Sequence, residues 1–325
     1  MFGLAFLVIS FLPSLSVLYL AYGVLGGFGI SYAYAGALGN ATRYFPDRKG
    51  LATGLVTAGN GAAAVITAPL LAVLIAHLGV VIASRLLGAG FLIISVVCGL
   101  ATKSAPNDFR PDGWAPPAVG KGGADHSVDW KQMISTPIFY LLLGLLAAGA
   151  LSGLMIAANA SQIGQHMFAL SAASAALCVG LYAASNASGR FLWGSASDKI
   201  GRPNSLICIF ILIALMLLLL TITSSVPGFI VGICGIGLSF GGVMGVFPSI
   251  VSEKFGSKYF GVDYGISFTG YSIAAFFGPR LAASIGANNN GNFSKAFYIA
   301  IVVCLAGIAM SVAFKNLSKQ FGHRV

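Results

Sequence analysis

Long apolar runs alternate with short polar loops along almost the whole chain. A helix needs roughly 20 apolar residues to cross a bilayer, and nine segments reach about this length. They are Val17–Gly39, Gly50–Ile75, Val80–Ala101, Pro137–Gln162, Ala172–Ser195, Pro203–Thr223, Pro227–Val251, Gly261–Ile285 and Phe297–Phe314. A shorter run, Met1 to about Pro13, indicates part of a further span. The pattern predicts an all-α integral membrane protein with about nine full spans and one partial span.

Composition supports this class. The 325 residues are 57% hydrophobic and 8% charged, with a mean hydropathy of +0.90, whereas a soluble domain carries roughly 25% charged residues. The formal net charge of +10 would suit nucleic acid. However, the basic residues concentrate in the loops on one side of the apolar runs, which is the positive-inside pattern of membrane topology. We therefore predict that lipid, and not nucleic acid, surrounds the chain.

The spans divide into two groups. Residues 1–102 predict an incomplete N-terminal transmembrane bundle, and residues 133–325 predict a C-terminal bundle of six helices. Residues 103–132 are rich in Pro, Gly and charged side chains and predict a flexible linker. Alternating the sides of successive loops places this linker and the C-terminus in the cytoplasm. The membrane would be the plasma membrane or a bacterial inner membrane.

One charged loop between two spans carries the most specific motif. The stretch from Gly189 to Pro203 reads G-R-F-L-W-G-S-A-S-D-K-I-G-R-P. Gly201 occupies a tight reversal that needs a residue without a Cβ, and Pro203 suits the first turn of the next helix. The spacing G-x-x-x-D-K-x-G-R resembles the loop signature of the major facilitator superfamily of secondary transporters.

Two further stretches resemble one branch of that superfamily. They are Arg43-Tyr-Phe-Pro-Asp-Arg-Lys-Gly-Leu-Ala-Thr-Gly54 and Gly241–Glu253 with the following Asp263-Tyr-Gly265. Both are similar to the oxalate:formate antiporter family and to monocarboxylate porters. The resemblance implies a fold of twelve spans in two helix-bundle halves, so that about two and a half helices would precede Met1. It also implies a proton-linked carrier or exchanger of small carboxylate anions, without a cofactor or an obligate protein partner.

Arg190 is the main candidate for binding substrate. It lies eight residues before Asp198, or about 12 Å of helix rise, so it lies inside the bilayer. A guanidinium stays charged there and binds a carboxylate through two parallel hydrogen bonds. Arg190 also matches the substrate-binding arginine that the antiporter family carries in its eighth helix. The alternative is an arginine that reaches to the membrane surface or pairs with Asp198.

Tyr271 occupies the position at which the antiporter pattern has a lysine, within the run Phe268-Thr-Gly-Tyr-Ser272. A site with one cation suits a substrate with one negative charge. This departure from the pattern therefore favours a monocarboxylate over oxalate, with Tyr271 as a neutral donor. Arg280 is half a turn off the face of Tyr271 and is predicted to anchor the helix at the interface.

Neutral polar residues could complete the path, or could instead hold helices together. The candidates are Tyr32, Tyr34, Asn60 and Gln162. The two tyrosines are two positions apart, so at most one of them should point fully inward.

The charged loop is predicted to be a gate. Asp198 can accept hydrogen bonds from Arg202 and from backbone N–H groups at the start of a neighbouring helix. Lys199, Gly194 and Gly201 belong to the same motif. This latch would hold one state of a carrier that works by alternating access, in which rigid halves rock about a midplane site.

Two other functions remain open. The chain could be a non-transporting remnant or sensor, or it could be a drug exporter on the same fold. An enzyme is not expected, because no span holds a cluster of His, Asp and Glu and no hydrolase or nucleotide motif occurs. The five cysteines lie unpaired in apolar segments, so we predict no disulfide and no metal site.

Overall fold

The structure is a computed structural model that describes residues 1–12, 14–106, 109 and 127–322. Every regular element within these ranges is helical. The elements are α1 (Phe2–Phe11), α2 (Leu15–Val17), a π-helical stretch (Leu18–Gly26), α3 (Gly27–Tyr44), α4 (Lys49–Ala101), α5 (Trp130–Ile134), α6 (Pro137–Phe168), α7 (Ala172–Ile200), α8 (Arg202–Ile222), α9 (Val226–Phe255), α10 (Phe260–Ser267), α11 (Thr269–Asn288) and α12 (Ser294–Gly322).

Hydroxyl side chains and prolines set the starts of several helices. The Thr136 hydroxyl accepts the backbone N–H of Phe139 at the start of α6, and the Ser225 hydroxyl accepts that of Gly228 at the start of α9. Each of these two helices has a proline in its first turn, where the missing N–H removes no hydrogen bond. For this reason, the starts predicted from the sequence, Pro137 and Pro227, lie within one residue of the observed helix starts.

The two predicted spans Gly50–Ile75 and Val80–Ala101 are joined in one long element, α4. Their boundary is Gly79, which has φ 75° and ψ 166° and is the non-helical residue within the element. A residue with a Cβ rarely adopts this backbone conformation. The apolar pattern therefore separated the two segments correctly, although the helix resumes without a loop.

The predicted span Gly261–Ile285 is broken. It consists of α10 and α11, with the junction at Phe268 and Thr269. The apolar pattern did not reveal the junction, because aromatic residues continue across it.

Six elements within the described residues are long and apolar enough to cross a membrane, so the expected count of nine full spans is not confirmed. The six are Leu15–Tyr44, Val73–Ala101, Pro137–Phe168, Arg202–Ile222, Val226–Phe255 and Ser294–Ser318. Helix α7 is long enough but carries five Ser residues, one Asn and three charged residues along its length. These polar residues lower its hydropathy.

The helices after the predicted linker form most of the core. Helix α7 packs against α9, α6 against α11, and α8 against α12. Fully buried phenylalanines fill the spaces between them, among them Phe210, Phe247 and Phe297. Many large apolar side chains are exposed on the outside, including Leu100, Leu177 and Ile222. Such a surface suits lipid better than water.

Helix α4 connects the first part of the chain to the second, because it packs against α7 and α9. Most of the predicted linker lies outside the described residues. At its beginning, the Asn40 side chain bonds the backbone of Lys103 and Ala105. At its end, the Val128 N–H donates to the carbonyl oxygen of Phe255. The domain boundaries at residues 102 and 133 stay a prediction.

Candidate anion site and inter-helix latch

Glycines bring α4, α7 and α9 together around Arg190. A Cβ at Gly54 on α4 would lie 2.7 Å from the carbonyl oxygen of Arg190, and one at Gly241 on α9 would collide with the carbonyl oxygen of Asn186, one turn before Arg190. Real Cβ atoms do not approach backbone this closely, so both positions require glycine. The α7 backbone therefore lies in direct contact with two other helices at Arg190.

The Arg190 side chain is held in place on two sides. Its Nε donates to the Asn186 amide oxygen at 3.1 Å, and its Nη1 donates to the Thr57 carbonyl oxygen on α4 at 2.6 Å. Nη2 has no acceptor among the described residues. The guanidinium is thus oriented by neutral acceptors, which leave its charge uncompensated.

A cavity of about 920 Å³ lies beside Arg190. Residues of α3, α10 and α11 line most of it. Among the described residues that line it, the charged ones are Arg190, Arg43 and Lys258, and none is acidic. A cavity whose charges all have one sign attracts ligands of the opposite sign, so its electrostatics favour an anion.

Three tyrosines line this cavity and lie within the field of the Arg190 charge: Tyr34, Tyr264 and Tyr271. The Tyr34 and Tyr264 rings are in contact, with centroids 6.3 Å apart, and Tyr271 stacks on Phe268 at 4.7 Å. Tyr264 is only 3% exposed, and its buried hydroxyl lies beside the Tyr34 hydroxyl. If one of the two hydroxyls donates to the other, a second O–H donor is left for a ligand.

The structure brings together most, but not all, of the predicted binding residues. Arg190, Tyr34, Tyr271 and Asn60 line the cavity. Tyr32 lies at its edge and is 69% exposed, as its spacing from Tyr34 suggested. Gln162 is exposed on α6 and does not line the cavity. Its neighbour Asn159 takes the buried face of the helix, where it donates to the carbonyl oxygens of Met155 and Pro279.

Asp198 joins the end of α7 to the start of α4. Its Oδ1 accepts the Gly50 N–H and its Oδ2 accepts the Leu51 N–H, both at 2.9 Å. These N–H groups belong to the first turn of α4, where unpaired donors and the helix dipole favour a carboxylate. This is the contact that the sequence suggested for Asp198.

Arg202 extends this contact to α9. Its Nη2 lies 2.7 Å from Asp198 Oδ1 and 2.6 Å from Glu253 Oε1, and its Nη1 donates to the Ser197 hydroxyl. One guanidinium thus bridges two carboxylates. We call the group Ser197, Asp198, Arg202 and Glu253, with the first turn of α4, the latch.

The other residues of the predicted gate have different environments. Gly201 has φ 86° and ψ 148° between α7 and α8, so the reversal does require glycine. Gly194 lies against Gly50, and a Cβ on either residue would collide with the carbonyl oxygen of the other. Lys199 is exposed and has no ion pair within the described part of the chain. The gating role of all these residues stays a prediction.

Several contributors were not predicted from the sequence. Arg43 and Glu253 belong to the stretches that resemble the antiporter family, but no role is predicted for their side chains, and none is predicted for Lys258. Tyr264 could have been predicted, because it follows Asp263 in one of the stretches that resemble the antiporter family. The contact of Arg190 with Thr57 could not, because a backbone carbonyl makes it and any residue has one.

All five cysteines are free thiols in the structure. No group of three or more His, Cys, Asp or Glu residues that could hold a metal ion occurs within residues 1–106 and 127–322 as far as they are described.

The sequence and the helix arrangement both match known proteins. The family model of the Major Facilitator Superfamily matches residues 1–166 and 148–321. The chain belongs to this superfamily. The human organic anion transporter MFSD10 has the same fold, with a TM-score of 0.67, 16% identity, and coverage of 95% of this chain and 74% of that one.

Curated relatives include anion transporters. The chain is 29% identical to the oxalate:formate antiporter of Oxalobacter formigenes over 92% of its own length and 69% of that protein. It is 29% identical to human monocarboxylate transporter 11 over 94% of its length and 64% of that protein. The aspyridones efflux protein of Emericella nidulans is 25% identical over 94% of this chain and 62% of that protein.

The chain thus spans about two thirds of the length of these relatives. Members of the superfamily are multi-pass membrane transporters and not enzymes, and this chain shares their family and fold.

Proposed function

We propose that this protein is a secondary active carrier of small carboxylate anions, with a preference for monocarboxylates. The observation that carries the proposal is the cavity beside Arg190, whose charged lining is entirely basic in the described residues. A carboxylate there would accept hydrogen bonds from Arg190 Nη2 and from tyrosine hydroxyls. The relatives named for oxalate, formate and monocarboxylates support the substrate class.

The proposed preference for substrates with one negative charge follows from the residues that line the inner end of the cavity. Arg190 is the cation there, and Tyr271 stands where the antiporter pattern has a lysine. Arg43 and Lys258 lie towards the loops at the other end, and the Arg43 guanidinium donates to the Ser257 carbonyl oxygen at 3.4 Å. We propose that these two residues attract anions, and that Arg190 and the tyrosines bind the carboxylate.

The latch supports alternating access as the mechanism. It joins the first turn of α4 to α7 and α9, and therefore ties the first part of the chain to the second. We propose that the latch holds one state closed, on the cytoplasmic side of a plasma or bacterial inner membrane. The linker and the C-terminus would lie on the same side.

A second candidate is an exporter of larger apolar compounds, which the similarity to the aspyridones efflux protein favours. The cavity is large enough for such a molecule. Its basic lining argues against a cationic drug, because a buried positive charge repels one. A non-transporting remnant or sensor is the third candidate and would bind an anion without moving it.

The test is counterflow of labelled formate, lactate, pyruvate and oxalate in proteoliposomes, with Arg190→Gln beside the wild type. We expect saturable exchange of a monocarboxylate and a loss of about a hundredfold or more in Arg190→Gln, because the charge-assisted hydrogen bond from Nη2 and the positive charge beside the carboxylate are both removed. Arg280→Gln is the matched control. The Arg280 guanidinium packs on the Phe276 ring at 3.8 Å, and the residue does not line the cavity. Absence of exchange with every anion would leave the exporter and the remnant as the explanations.

A further inference from the structure

Asp263 is a buried acidic side chain that the anion site does not use. It lies in the first turn of α10, and its residue exposure is 0%. Both carboxyl oxygens are buried, and neither has a hydrogen-bond partner among the described residues. Most buried acidic residues are paired or hydrogen-bonded, so this carboxyl group requires an explanation.

Every basic side chain near α10 has another contact. This holds for the described residues on α3, α5, α9 and α11, in the loop before α10 and for Arg202 of α8. Helix α6, which also packs against α10, carries no Lys or Arg. Arg202 binds Asp198 and Glu253, Arg43 bonds Ser257, Lys131 lies over the Trp130 ring, Lys254 over Phe314, Lys258 over Tyr259, and Arg280 over Phe276. Glu253, the acidic residue of α9 beside them, is held by Arg202.

The charged group that interacts electrostatically with Asp263 is itself negative. It is the carboxylate of Asp129, the N-cap residue of α5. The tyrosines of the packed elements, Tyr34, Tyr264 and Tyr271, line the cavity, whereas Asp263 does not. Asp263 therefore lies on the side of α10 away from the anion site and has no cation to balance it.

We propose that Asp263 is the proton-binding site of this carrier, so that a proton travels with the anion. An ionised carboxylate without partners is very unfavourable in an apolar environment, whereas a protonated carboxylic acid leaves only a neutral polar group unpaired. A proton from water forms an O–H bond on one Asp263 oxygen, and the carboxyl group becomes neutral. The proposal rests on the proposed carrier function.

The surroundings also suggest how the proton leaves. The end of the linker covers the corner between α9 and α10, because Val128 bonds Phe255 and the Lys258 N–H donates to the Ser127 hydroxyl at 3.4 Å. Tyr264, the next residue on α10, lines the anion cavity. A movement of α10 that opens the cavity would therefore also expose Asp263 to water, where the carboxyl group can release its proton.

Transport of one monoanion with one proton moves no net charge across the bilayer. A proton gradient of one unit would then support accumulation of the anion by about tenfold. Counterflow at equal pH on both sides needs no net proton movement. The two assays therefore separate the carrier function from its coupling.

The experiment compares wild type, Asp263→Asn and Asp263→Glu in proteoliposomes that contain formate or lactate. We expect Asp263→Asn to keep counterflow within about twofold of wild type and to lose all accumulation driven by an acidic exterior. Asp263→Glu should restore part of the accumulation. Asp47→Asn is the control, because Asp47 pairs with Arg48 in a loop.

Each outcome has a defined meaning. Accumulation by Asp263→Asn at the wild-type level would overturn the proposal, as would loss of counterflow in folded Asp263→Asn. Absence of counterflow in the wild type would contradict the carrier function itself.

A second measurement uses the wild-type protein only and does not depend on whether a variant folds. Apolar carbodiimides react with protonated carboxyl groups that are shielded from water. We expect dicyclohexylcarbodiimide to label Asp263 in preference to the other acidic residues, faster at acidic than at alkaline pH, as read by peptide mass spectrometry. No labelling of Asp263 at any pH would overturn the proposal.

Discussion

The latch and the anion cavity both join the first part of the chain to the second, but they differ in how many of their polar groups have hydrogen-bond partners. In the latch, Asp198 has two backbone donors and a guanidinium, and Arg202 has three acceptors. In the cavity, the buried Tyr264 hydroxyl has only the Tyr34 hydroxyl beside it among the described residues, and Arg190 keeps a donor unused there. Polar groups whose hydrogen bonds are all made stabilise one arrangement of the helices, whereas donors without a protein acceptor can bind a ligand.

The largest effect should come from the glycine contact beside the latch. Gly194→Ala would place a Cβ against the Gly50 carbonyl oxygen, and backbone atoms cannot move aside as a flexible side chain can. We expect a loss of about 1–3 kcal/mol in the free energy of unfolding. The matched control is Gly180→Ala on the same helix, where nothing lies within 4 Å of the new Cβ. The control should be neutral or slightly stabilising.

Unfolding in mixed micelles measures both variants. If Gly194→Ala and Gly180→Ala behave alike, the close approach of α4 and α7 is not important for stability.

A smaller effect is expected for the latch carboxylate. Asp198→Asn keeps an oxygen for one backbone N–H but removes the charge beside Arg202. Because the Asp198 side chain is 20% exposed, we expect a loss of about 1 kcal/mol, less than for a fully buried pair. If the latch closes one state of the carrier, transport should slow by about five- to tenfold while anion affinity stays near the wild-type value. Wild-type turnover at equal surface expression would argue against a gate.

The smallest effect should differ between two buried tyrosines. Tyr182→Phe removes a 2.8 Å hydrogen bond to the Gly153 carbonyl oxygen and should lower the free energy of unfolding by about 1 kcal/mol. Tyr264→Phe removes a hydroxyl whose polar neighbour is the Tyr34 hydroxyl, and it should change the free energy of unfolding by less. Tyr264→Phe should also weaken anion binding severalfold, as isothermal titration would show. A loss of stability in Tyr264→Phe as large as that in Tyr182→Phe would mean that the Tyr264 hydroxyl has a structural role of equal strength.

The sequence predicted the parts of this molecule that depend on local pattern. Gly201 and Pro203 mark the reversal between α7 and α8, and the eight-residue distance from Asp198 places Arg190 about two turns further along α7, away from the latch. These positions follow from backbone conformation and from helix rise, which neighbouring residues determine.

Contacts between helices that are distant in the sequence were harder to predict. The Thr57 carbonyl that binds Arg190 has no side-chain signal, and the break between α10 and α11 is hidden within an aromatic run. Gln162 was expected at the cavity because it is polar and lies in a span. Which side of α6 faces inward, however, depends on the packing of α6 against α11, and Asn159 occupies that side.

The hydrogen bond from Arg190 to the Thr57 carbonyl oxygen joins the proposed ligand of the anion to a helix on the other side of the interface. If the carrier opens by separating α4 from α7, the arginine loses this acceptor in the open state and becomes free to turn. The anion would then have different affinities in the two states. By thermodynamic linkage, the bound anion must shift the equilibrium between them by the same factor. Through this one backbone carbonyl, anion binding and the separation of α4 from α7 would share a single coupling free energy.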